Sequence, residues 1–422
     1  MSELQSEQQS ELQSERPDRM PTFVRARRRL RGSAFTLLGL ATLLVSCGPS
    51  GPFQNFRERP ATAHERYARA LRDAGLDSTA LGREWLAASD SALRSPLVAV
   101  LPAQEVGVYD RDEARAVAYR VALRDGQRFR TTLRADGLPA RIYLDLFEVV
   151  ADSITPFAHR ATADTLRRVD RASVTITLEY EATRDGVFVL RLQPELLRSG
   201  RFDLTMQVEP MLAFPVEGRG NAAIQSLFGV GREGGRRSHH GIDIFAPRGT
   251  PVLAATDGTV RSISPNNLGG NVIWLSDERR RQTLYYAHLD RHAVGQGDRV
   301  RAGDTIGFVG NTGNARTTPP HLHFGIYRRG QGPIDPLMYV RRVTARSPAL
   351  TADATQLGRR AMTNTSNVAL RESPSAASQT RRRVGSDVPL QIMAVNASWY
   401  RVQFEDGTTG YVTAGAFRVV GD

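Results

Sequence analysis

The sequence has no lysine, a single cysteine and only eight histidines among its 422 residues. Because there is no second thiol, Cys47 cannot form an intramolecular disulfide. The basic side chains are all arginine, and they give the chain a formal net charge of +12 at neutral pH. These arginines are spread among Asp and Glu rather than gathered in one patch, so the charge favours an anionic surface or polymer over nucleic acid as partner.

The N-terminal segment also lacks an apolar run long enough to cross a bilayer comfortably. A basic cluster at 24–31 precedes an apolar stretch at 34–45, which is the pattern of a secretory signal. The sequence Leu44-Val45-Ser46-Cys47 resembles a bacterial lipoprotein box, which implies a lipid on Cys47 as the first mature residue. Ordinary secretory cleavage and an uncleaved anchor are the alternatives, and Met20 is a second candidate start.

All three readings of the N-terminus place the protein outside the cytoplasm. We expect a location in the cell envelope, with the lipid on Cys47 attaching the chain to a membrane. A location outside the cytoplasm is a further argument against nucleic acid as a partner.

The histidines are few but concentrated, since six of the eight fall between positions 239 and 323. They are His239, His240, His288, His292, His321 and His323. A catalytic zinc ion takes about three protein ligands from His, Asp, Glu or Cys and keeps one position for water. The clustering therefore predicts a metallohydrolase site in the third quarter of the chain.

The spacing of these residues indicates how they meet. In a strand, residues i and i+2 point to the same face, so His321 and His323 should project together. Pro319 and Pro320 exclude a helix there and favour that strand. Asp243 lies between two isoleucines, and a buried carboxylate needs a partner or a metal to offset its desolvation.

The stretch from about 225 to 340 resembles the lysostaphin/LytM-type zinc peptidases, which cut the peptides of peptidoglycan. The resemblance rests on a collinear series of short motifs. These are His239-His240-Gly241-Ile242-Asp243-Ile244, Gly249-Thr250-Pro251-Val252, Asp257-Gly258-Thr259-Val260, Tyr286-Ala287-His288-Leu289, Gly303-Asp304-Thr305-Ile306-Gly307, Gly310-Asn311-Thr312-Gly313 and His321-Leu322-His323-Phe324.

Carried over residue by residue, the resemblance implies that His239, Asp243 and His323 bind Zn²⁺. It makes His288 and His321 the catalytic histidines, and the sequence does not decide which of them is the general base. The family spacing selects His239 rather than the adjacent His240 as the first ligand. His292 has no counterpart in the motifs, and we expect it in a solvated loop.

Two positions depart from the family pattern. Thr318 precedes the two prolines where the family usually has Gly or another small residue. Gly325 stands where an acidic residue usually follows the phenylalanine. Neither position carries a metal ligand, so both departures bear on substrate preference rather than on activity.

The rest of the chain predicts a mainly β, multidomain fold. Alternating segments with Asp-Gly turns between them favour a β-sandwich, with a weak resemblance to jelly-roll modules. The peptidase core should be an antiparallel β-sheet with a groove. The expected boundaries are a signal peptide at 1–47, a tether at 48–59, a helical segment at 60–98, the sandwich at 99–214, the peptidase at 215–340, a linker at 341–362 and a C-terminal domain at 363–422.

The C-terminal domain resembles bacterial SH3-like domains. The resemblance is carried by Asn367-Val368-Ala369-Leu370-Arg371, by Trp399-Tyr400-Arg401-Val402 and by Asp406-Gly407 before Gly410-Tyr411-Val412. It implies a small barrel whose aromatic residues hold cell-wall glycopeptide. Trp399 and Tyr411 are equally compatible with a place in the barrel core.

These expectations combine into one functional hypothesis and two rivals. The hypothesis is a zinc-dependent, envelope-anchored endopeptidase that hydrolyses stem peptides or cross-links of peptidoglycan. One rival is a catalytically idle envelope protein that activates a cell-wall amidase or serves as a wall-binding module. The other rival is a peptidase that acts on secreted proteins.

Overall fold

The computed structural model describes residues 59–136, 141–151, 157–164 and 173–420. The described residues from Pro60 onward form one compact unit. The predicted signal peptide, Cys47 and residues 48–58 of the tether lie outside the described residues. In the described part of the chain, no helix has the length and apolar character needed to cross a membrane.

Two helices open the compact unit, α1 (Ala63–Asp73) and α2 (Ala80–Arg94). Thr62 and Glu65 form a capping box on the first helix, and Thr79 caps the second through the amide of Gly82. The helices bury Trp85 against His64, whose ring stacks on the indole at 4.7 Å, and against Tyr143 of the following sheet. This helical segment is therefore packed onto the sandwich.

Nine strands follow the helices and build two sheets. They are β1 (Leu97–Val98), β2 (Ala103–Tyr109), β3 (Val117–Leu123), β4 (Gln127–Asp136), β5 (Ile142–Val149), β6 (Phe157–Asp164), β7 (Ser173–Glu181), β8 (Gly186–Pro194) and β9 (Gly200–Pro210). One sheet has the order β1-β3-β8-β5-β6, and the other contains the run β2-β9-β4-β7.

The two sheets share one hydrophobic core. Residues that alternate along each strand meet in it, for example Tyr119 and Leu190 from the first sheet and Phe129 and Leu204 from the second. The predicted Asp125-Gly126 turn links β3 to β4, so it carries the chain from one sheet to the other. These connections and the shared core make this part of the chain a sandwich.

The next segment folds around a second core. Its elements are β10 (Ile224–Ser226), β11 (Gly231–Arg232), β12 (Arg237–Ser238), β13 (Ile242–Phe245), β14 (Pro251–Leu253), β15 (Gly258–Ile263), β16 (Asn271–Asp277), β17 (Gln282–His292), β18 (Arg299–Val300), β19 (Thr305–Val309), β20 (His321–Arg328), β21 (Gly332–Ile334) and α3 (Leu337–Val340). The main sheet is antiparallel, in the order β10-β13-β20-β17-β16-β15-β18.

This antiparallel sheet docks on the sandwich through polar and aromatic contacts. Tyr339 lies against the turn at Gly126, where an added Cβ would come within 2.4 Å of the ring. Asp125 accepts hydrogen bonds from the Tyr339 hydroxyl at 2.6 Å and from the guanidinium of Arg328 at 3.0 Å. The position at Gly126, with φ of +86°, thus excludes any side chain for two reasons.

Seven strands complete the chain. They are β22 (Arg360–Thr363), β23 (Val368–Arg371), β24 (Thr380–Val384), β25 (Pro389–Asn396), β26 (Trp399–Phe404), β27 (Thr409–Thr413) and β28 (Phe417–Val419). Strand β25 pairs with β2 of the sandwich, so these strands and the second sandwich sheet form one sheet of eleven strands. In the segment expected as a linker, Leu350 and Leu357 pack against the C-terminal core.

A buried polar network reinforces this junction. Glu105 of β2 is fully buried and accepts hydrogen bonds from Tyr119 at 2.5 Å, Arg401 at 2.8 Å and Tyr411 at 2.6 Å. Tyr411 belongs to the sandwich core, while Trp399 is half-buried against it. Tyr411 is thus a core residue, but it belongs to the sandwich core rather than to the barrel core that the sequence suggested.

The mainly β, multi-sheet architecture expected from the sequence is confirmed. Alternating strands predominate, and in the described residues the α-helices are the two at the start of the compact unit and the short α3. Contacts between residues that are far apart in the sequence, such as Glu105 and Arg401, hold these parts together.

Replacing Glu105 by glutamine should destabilise the protein by about 3–5 kcal/mol, because it leaves the buried guanidinium of Arg401 without a counter-charge. Denaturant unfolding at neutral pH measures this loss. The control is Glu179→Gln, since Glu179 forms a half-exposed ion pair with Arg130 at 2.8 Å that should contribute less than about 1 kcal/mol. Equal losses in the two variants would contradict the assignment.

Candidate metal centre

Two paired strands bring the predicted ligands together. Strands β13 and β20 are antiparallel, and their register sets Asp243 opposite His323 and Phe245 opposite His321. Leu322 and Phe324 of β20 are fully buried in the core on the other face of the sheet. The alternation of β20 therefore turns both of its histidines toward the face that carries Asp243.

His239, Asp243 and His323 form a tight triangle of potential ligands. The Asp243 Oδ1 atom lies 3.0 Å from His239 Nε2 and 3.0 Å from His323 Nδ1, and the two nitrogens are 2.9 Å apart. Ligands on a tetrahedral zinc ion at about 2.0–2.1 Å would lie roughly 3.3 Å from one another. The triangle thus has nearly the dimensions that a bound metal ion requires.

Because of the tautomer of His239, its short contact with Asp243 is better explained by a shared metal ion than by a hydrogen bond. Its Nδ1 lies 2.8 Å from the carbonyl oxygen of Leu227, and a carbonyl can only accept. Nδ1 therefore carries the hydrogen, and Nε2 presents a lone pair toward the carboxylate of Asp243. Two facing acceptors repel each other unless a cation lies between them, so this donor set could hold a metal.

His288 and His321 stand beside the triangle in the same tautomer. His288 Nδ1 donates to the carbonyl of Thr312 and His321 Nδ1 donates to that of Pro319, each at 2.9 Å. Their rings are 5.0 Å apart, and His321 Nε2 is 4.0 Å from Asp243 Oδ1. Both side chains keep an Nε2 lone pair that could accept a proton.

The backbone of His288 is held in an unusual conformation. Its φ of 62° is in the left-handed region, which costs a non-glycine residue about 1 kcal/mol or more. The His288 amide donates to the carbonyl of Gly269 at 2.7 Å, and its ring is fixed by Thr312. Strain of this kind at a buried histidine is typical of functional sites.

Burial controls the charge of these groups. It lowers the pKa of His288 to about 4, with help from the neighbouring His321 and His323, so this imidazole is neutral at pH 7. Burial also lowers the pKa of His323. Burial alone would raise the pKa of Asp243, but the adjacent imidazoles of His239 and His323 hold it far below its usual value. The site thus combines a neutral imidazole at His288 with an ionised carboxylate at Asp243, and metal binding needs deprotonated ligands.

Arg232 is a site residue that the sequence reasoning missed. Its Nη2 donates to Asp243 Oδ2 at 2.5 Å and to the hydroxyl of Ser226 at 2.8 Å. It occupies the end of β11, next to a turn containing Gly234 and Gly235. An arginine in a glycine-rich turn gives no recognisable signal in one sequence, because the pairing depends on how that turn folds over Asp243.

The remaining singled-out histidines lie outside the triangle. His240 is exposed and its ring faces that of Phe228 at 6.4 Å. His292 is half-buried at the end of β17 rather than in a loop, because that strand runs on to pair with β19. His239 is the member of the adjacent histidine pair that joins Asp243 and His323.

The two positions that depart from the family pattern are held by specific contacts. Pro319 contributes the carbonyl that orients His321, and Thr318 donates its hydroxyl to the carbonyl of Ala315. Gly325 is covered by the backbone of His240, whose oxygen would lie 3.0 Å from an added Cβ. A side chain at position 325 would need that backbone to shift by a few tenths of an ångström.

Comparison with known proteins identifies the two parts of the chain that carry the predicted motifs. Residues 237–336 match Peptidase family M23, and residues 364–417 match the bacterial SH3 domain. The chain thus contains an M23 domain of the lysostaphin/LytM type and a bacterial SH3 domain. The family assignment covers the metal triangle and both neighbouring histidines.

Curated relatives align over the peptidase part. Peptidoglycan DD-endopeptidase ShyC of Vibrio cholerae is 44% identical over 88 residues, which are 21% of this chain and 20% of the relative. The L-Ala--D-Glu endopeptidase of Bacillus subtilis is 38% identical over 140 residues, or 31% and 43% of the two chains. The chain therefore spans about a fifth of the first relatives it matches.

Solved structures align over the same part of the chain. LytU is 40% identical with a TM-score of 0.26, and the alignment covers 28% of this chain and 84% of that one. The catalytic domain of lysostaphin from Staphylococcus simulans is 35% identical with a TM-score of 0.24, covering 27% and 86%.

Replacing Arg232 by methionine should weaken the binding of added Zn²⁺ by about 10- to 100-fold, because Asp243 then loses the hydrogen bond that orients it. Competition with a chromogenic chelator measures the affinity.

Arg301→Met serves as the control for the loss of one positive charge, since Arg301 is exposed in the turn after β18. An Arg232→Met protein that binds Zn²⁺ as tightly as the control would show that Arg232 does not support the site.

Proposed function

We propose that the protein is a zinc-dependent endopeptidase that hydrolyses peptide bonds of peptidoglycan. The observation that carries the proposal is the donor triangle of His239, Asp243 and His323 with two further imidazoles beside it. Two imidazole nitrogens and one carboxylate oxygen are a ligand set that catalytic zinc uses. This set leaves one coordination position for water.

Zn²⁺ held by these three residues would supply a Lewis acid and lower the pKa of a water molecule toward about 7. The protein's own part is to move protons and to fix geometry. His288 and His321 each present an Nε2 lone pair, so one of them takes the proton of the attacking water.

The second proton step uses the same pair of residues. The leaving amine must gain a proton, and a histidine protonated in the first step can donate it. The imidazole N–H that results also stabilises negative charge on the carbonyl oxygen as water adds. Carbonyls of Thr312 and Pro319 hold the two rings in place, so neither histidine must rotate between steps.

The substrate class follows from the relatives rather than from the geometry. One relative is named a DD-endopeptidase, a second an L-Ala--D-Glu endopeptidase and a third, from Staphylococcus capitis, a glycyl-glycine endopeptidase. These three names specify different bonds, and the first specifies peptidoglycan. We therefore assign peptidoglycan peptides as the class and leave the bond open between stem peptide and cross-link.

The cellular setting is part of the same proposal. A wall substrate requires an exported enzyme, which agrees with the secretory pattern at 24–45 and a lipid on Cys47. The lipid would hold the peptidase at a membrane surface beside the wall. Mass spectrometry of the mature N-terminus tests this point, because an acylated Cys47 supports it and an unmodified one contradicts it.

Replacing His321 by alanine should lower the rate of wall-peptide hydrolysis by about 10²- to 10⁴-fold, because a proton-transfer group is lost. The three ligands remain, so Zn²⁺ should still bind at one equivalent. Chelation of the metal should abolish hydrolysis by the unaltered protein, and added Zn²⁺ should restore it. Muropeptide release, followed by mass analysis, measures the rate.

His240→Ala is the matched control, since His240 is an exposed histidine outside the triangle. If the unaltered protein binds Zn²⁺ yet releases no more muropeptide than His321→Ala, the enzyme assignment is wrong. If the unaltered protein and His321→Ala then stimulate a cell-wall amidase to the same extent, the protein is a non-enzymatic activator.

A further inference from the structure

Three aromatic side chains form a surface beside the metal centre. Trp274, Tyr285 and Tyr327 belong to β16, β17 and β20, and we call them the aromatic platform. The Trp274 ring lies 4.3 Å from that of Tyr285 and 5.1 Å from that of Tyr327. The Tyr285 ring lies 5.8 Å from that of His323, so the platform continues the site.

The platform lies on the sheet face that is turned away from the peptidase core. Leu275, Leu284 and Ile326, which alternate with the platform residues, are fully buried on the opposite face. Tyr285 is buried, and Trp274 and Tyr327 are half-buried against it in a small cluster separate from the main core. The exposed parts of Trp274 and Tyr327 are therefore what a ligand on this outer sheet face would contact.

We infer that the platform binds a sugar ring of the glycan strand from which the scissile peptide extends. The inference rests on the proposed peptidoglycan substrate and deepens it. A pyranose ring presents a flat face of C–H groups, which packs on the electron-rich face of an aromatic ring. Trp also carries an N–H group at its edge that can donate to a sugar hydroxyl.

The packing of the rings excludes a different kind of ligand. A cage for an ammonium group needs rings separated widely enough to admit the cation between them. Trp274 packs against both tyrosine rings, so no gap that could hold a cation separates them. The rings are inclined to one another by 40° to 88°, so a flat ligand would pack on one ring face at a time.

Hydroxyl groups lie beside the platform on the same sheet face. Thr283 pairs with Tyr327 and with Ser276 across the sheet, so both hydroxyl residues belong to the same face. Ser276 donates to the carboxylate of Glu278 at 2.7 Å. Hydroxyl and carboxylate groups beside aromatic faces match the hydroxyl-rich rim of a sugar.

The distance along β20 between the metal centre and the platform also fits a peptide that carries a sugar at one end. Tyr327 is four residues beyond His323 on β20, a separation of about 13 Å along the strand. An extended peptide of about four residues covers the same distance. Gly325 lies between the two positions, so no side chain of β20 stands in the path.

The test compares two soluble substrates, a peptide attached to its amino-sugar disaccharide and the same peptide without sugar. In Trp274→Leu the kcat/KM for the sugar-bearing substrate should fall by about tenfold, while that for the free peptide stays unchanged. Trp274→Phe keeps an aromatic face and should recover most of the preference. Thermal unfolding of both variants verifies that the fold is intact.

Two outcomes would overturn the inference. An equal loss on both substrates would mean that the platform contacts the peptide, and no loss on either would mean that it contacts no substrate. If the unaltered protein cleaves neither substrate, the proposed function is contradicted and these substrates do not test the platform. Calorimetric titration with peptide-free glycan strands then decides the platform separately, because Trp274→Leu should abolish binding that Trp274→Phe retains.

Discussion

The antiparallel pairing of β13 with β20 is the constraint on which the candidate centre depends. Its register sets Asp243 opposite His323, and the period of two turns His321 to the same face. A slip of one residue would bury the histidines in the core and expose Leu322 and Phe324. The apolar residues that fix the register are therefore as important to the site as the ligands, and the carbonyls that orient His239, His288 and His321 come from loops attached to this frame.

Much of the centre could be predicted from sequence because its signals are local. His321 and His323 are two residues apart, and Asp243 stands in an apolar strand four residues after His239. Arg232 could not be predicted, since its contact with Asp243 depends on a glycine-rich turn whose course no periodicity determines. The aromatic platform could not be predicted from the sequence either. Its rings come from three strands, each of which alone shows only an aromatic residue in an alternating pattern.

The mainly β fold was also predictable, because alternation and Asp-Gly turns are properties of short segments. How the parts join was not. Glu105 and Arg401 are separated by 296 residues, and the pairing of β2 with β25 requires Gly107, where an added Cβ would lie 2.9 Å from the Met393 carbonyl oxygen of β25. Sequence pattern assigns a strand to a sheet face, whereas the identity of its neighbour depends on long-range packing. The SH3 segment therefore looked like a separate domain.

The position of Tyr411 has a consequence for the history of the chain. A domain that keeps its aromatic residues for its own core can be exchanged between genes and still fold. Here Tyr411 fills the sandwich core and its hydroxyl binds Glu105, so the two parts share one interior. Neither could be recombined with a foreign partner without leaving a cavity or an unsatisfied carboxylate in the other. A substitution on one side of this boundary therefore affects the stability of the other side as well.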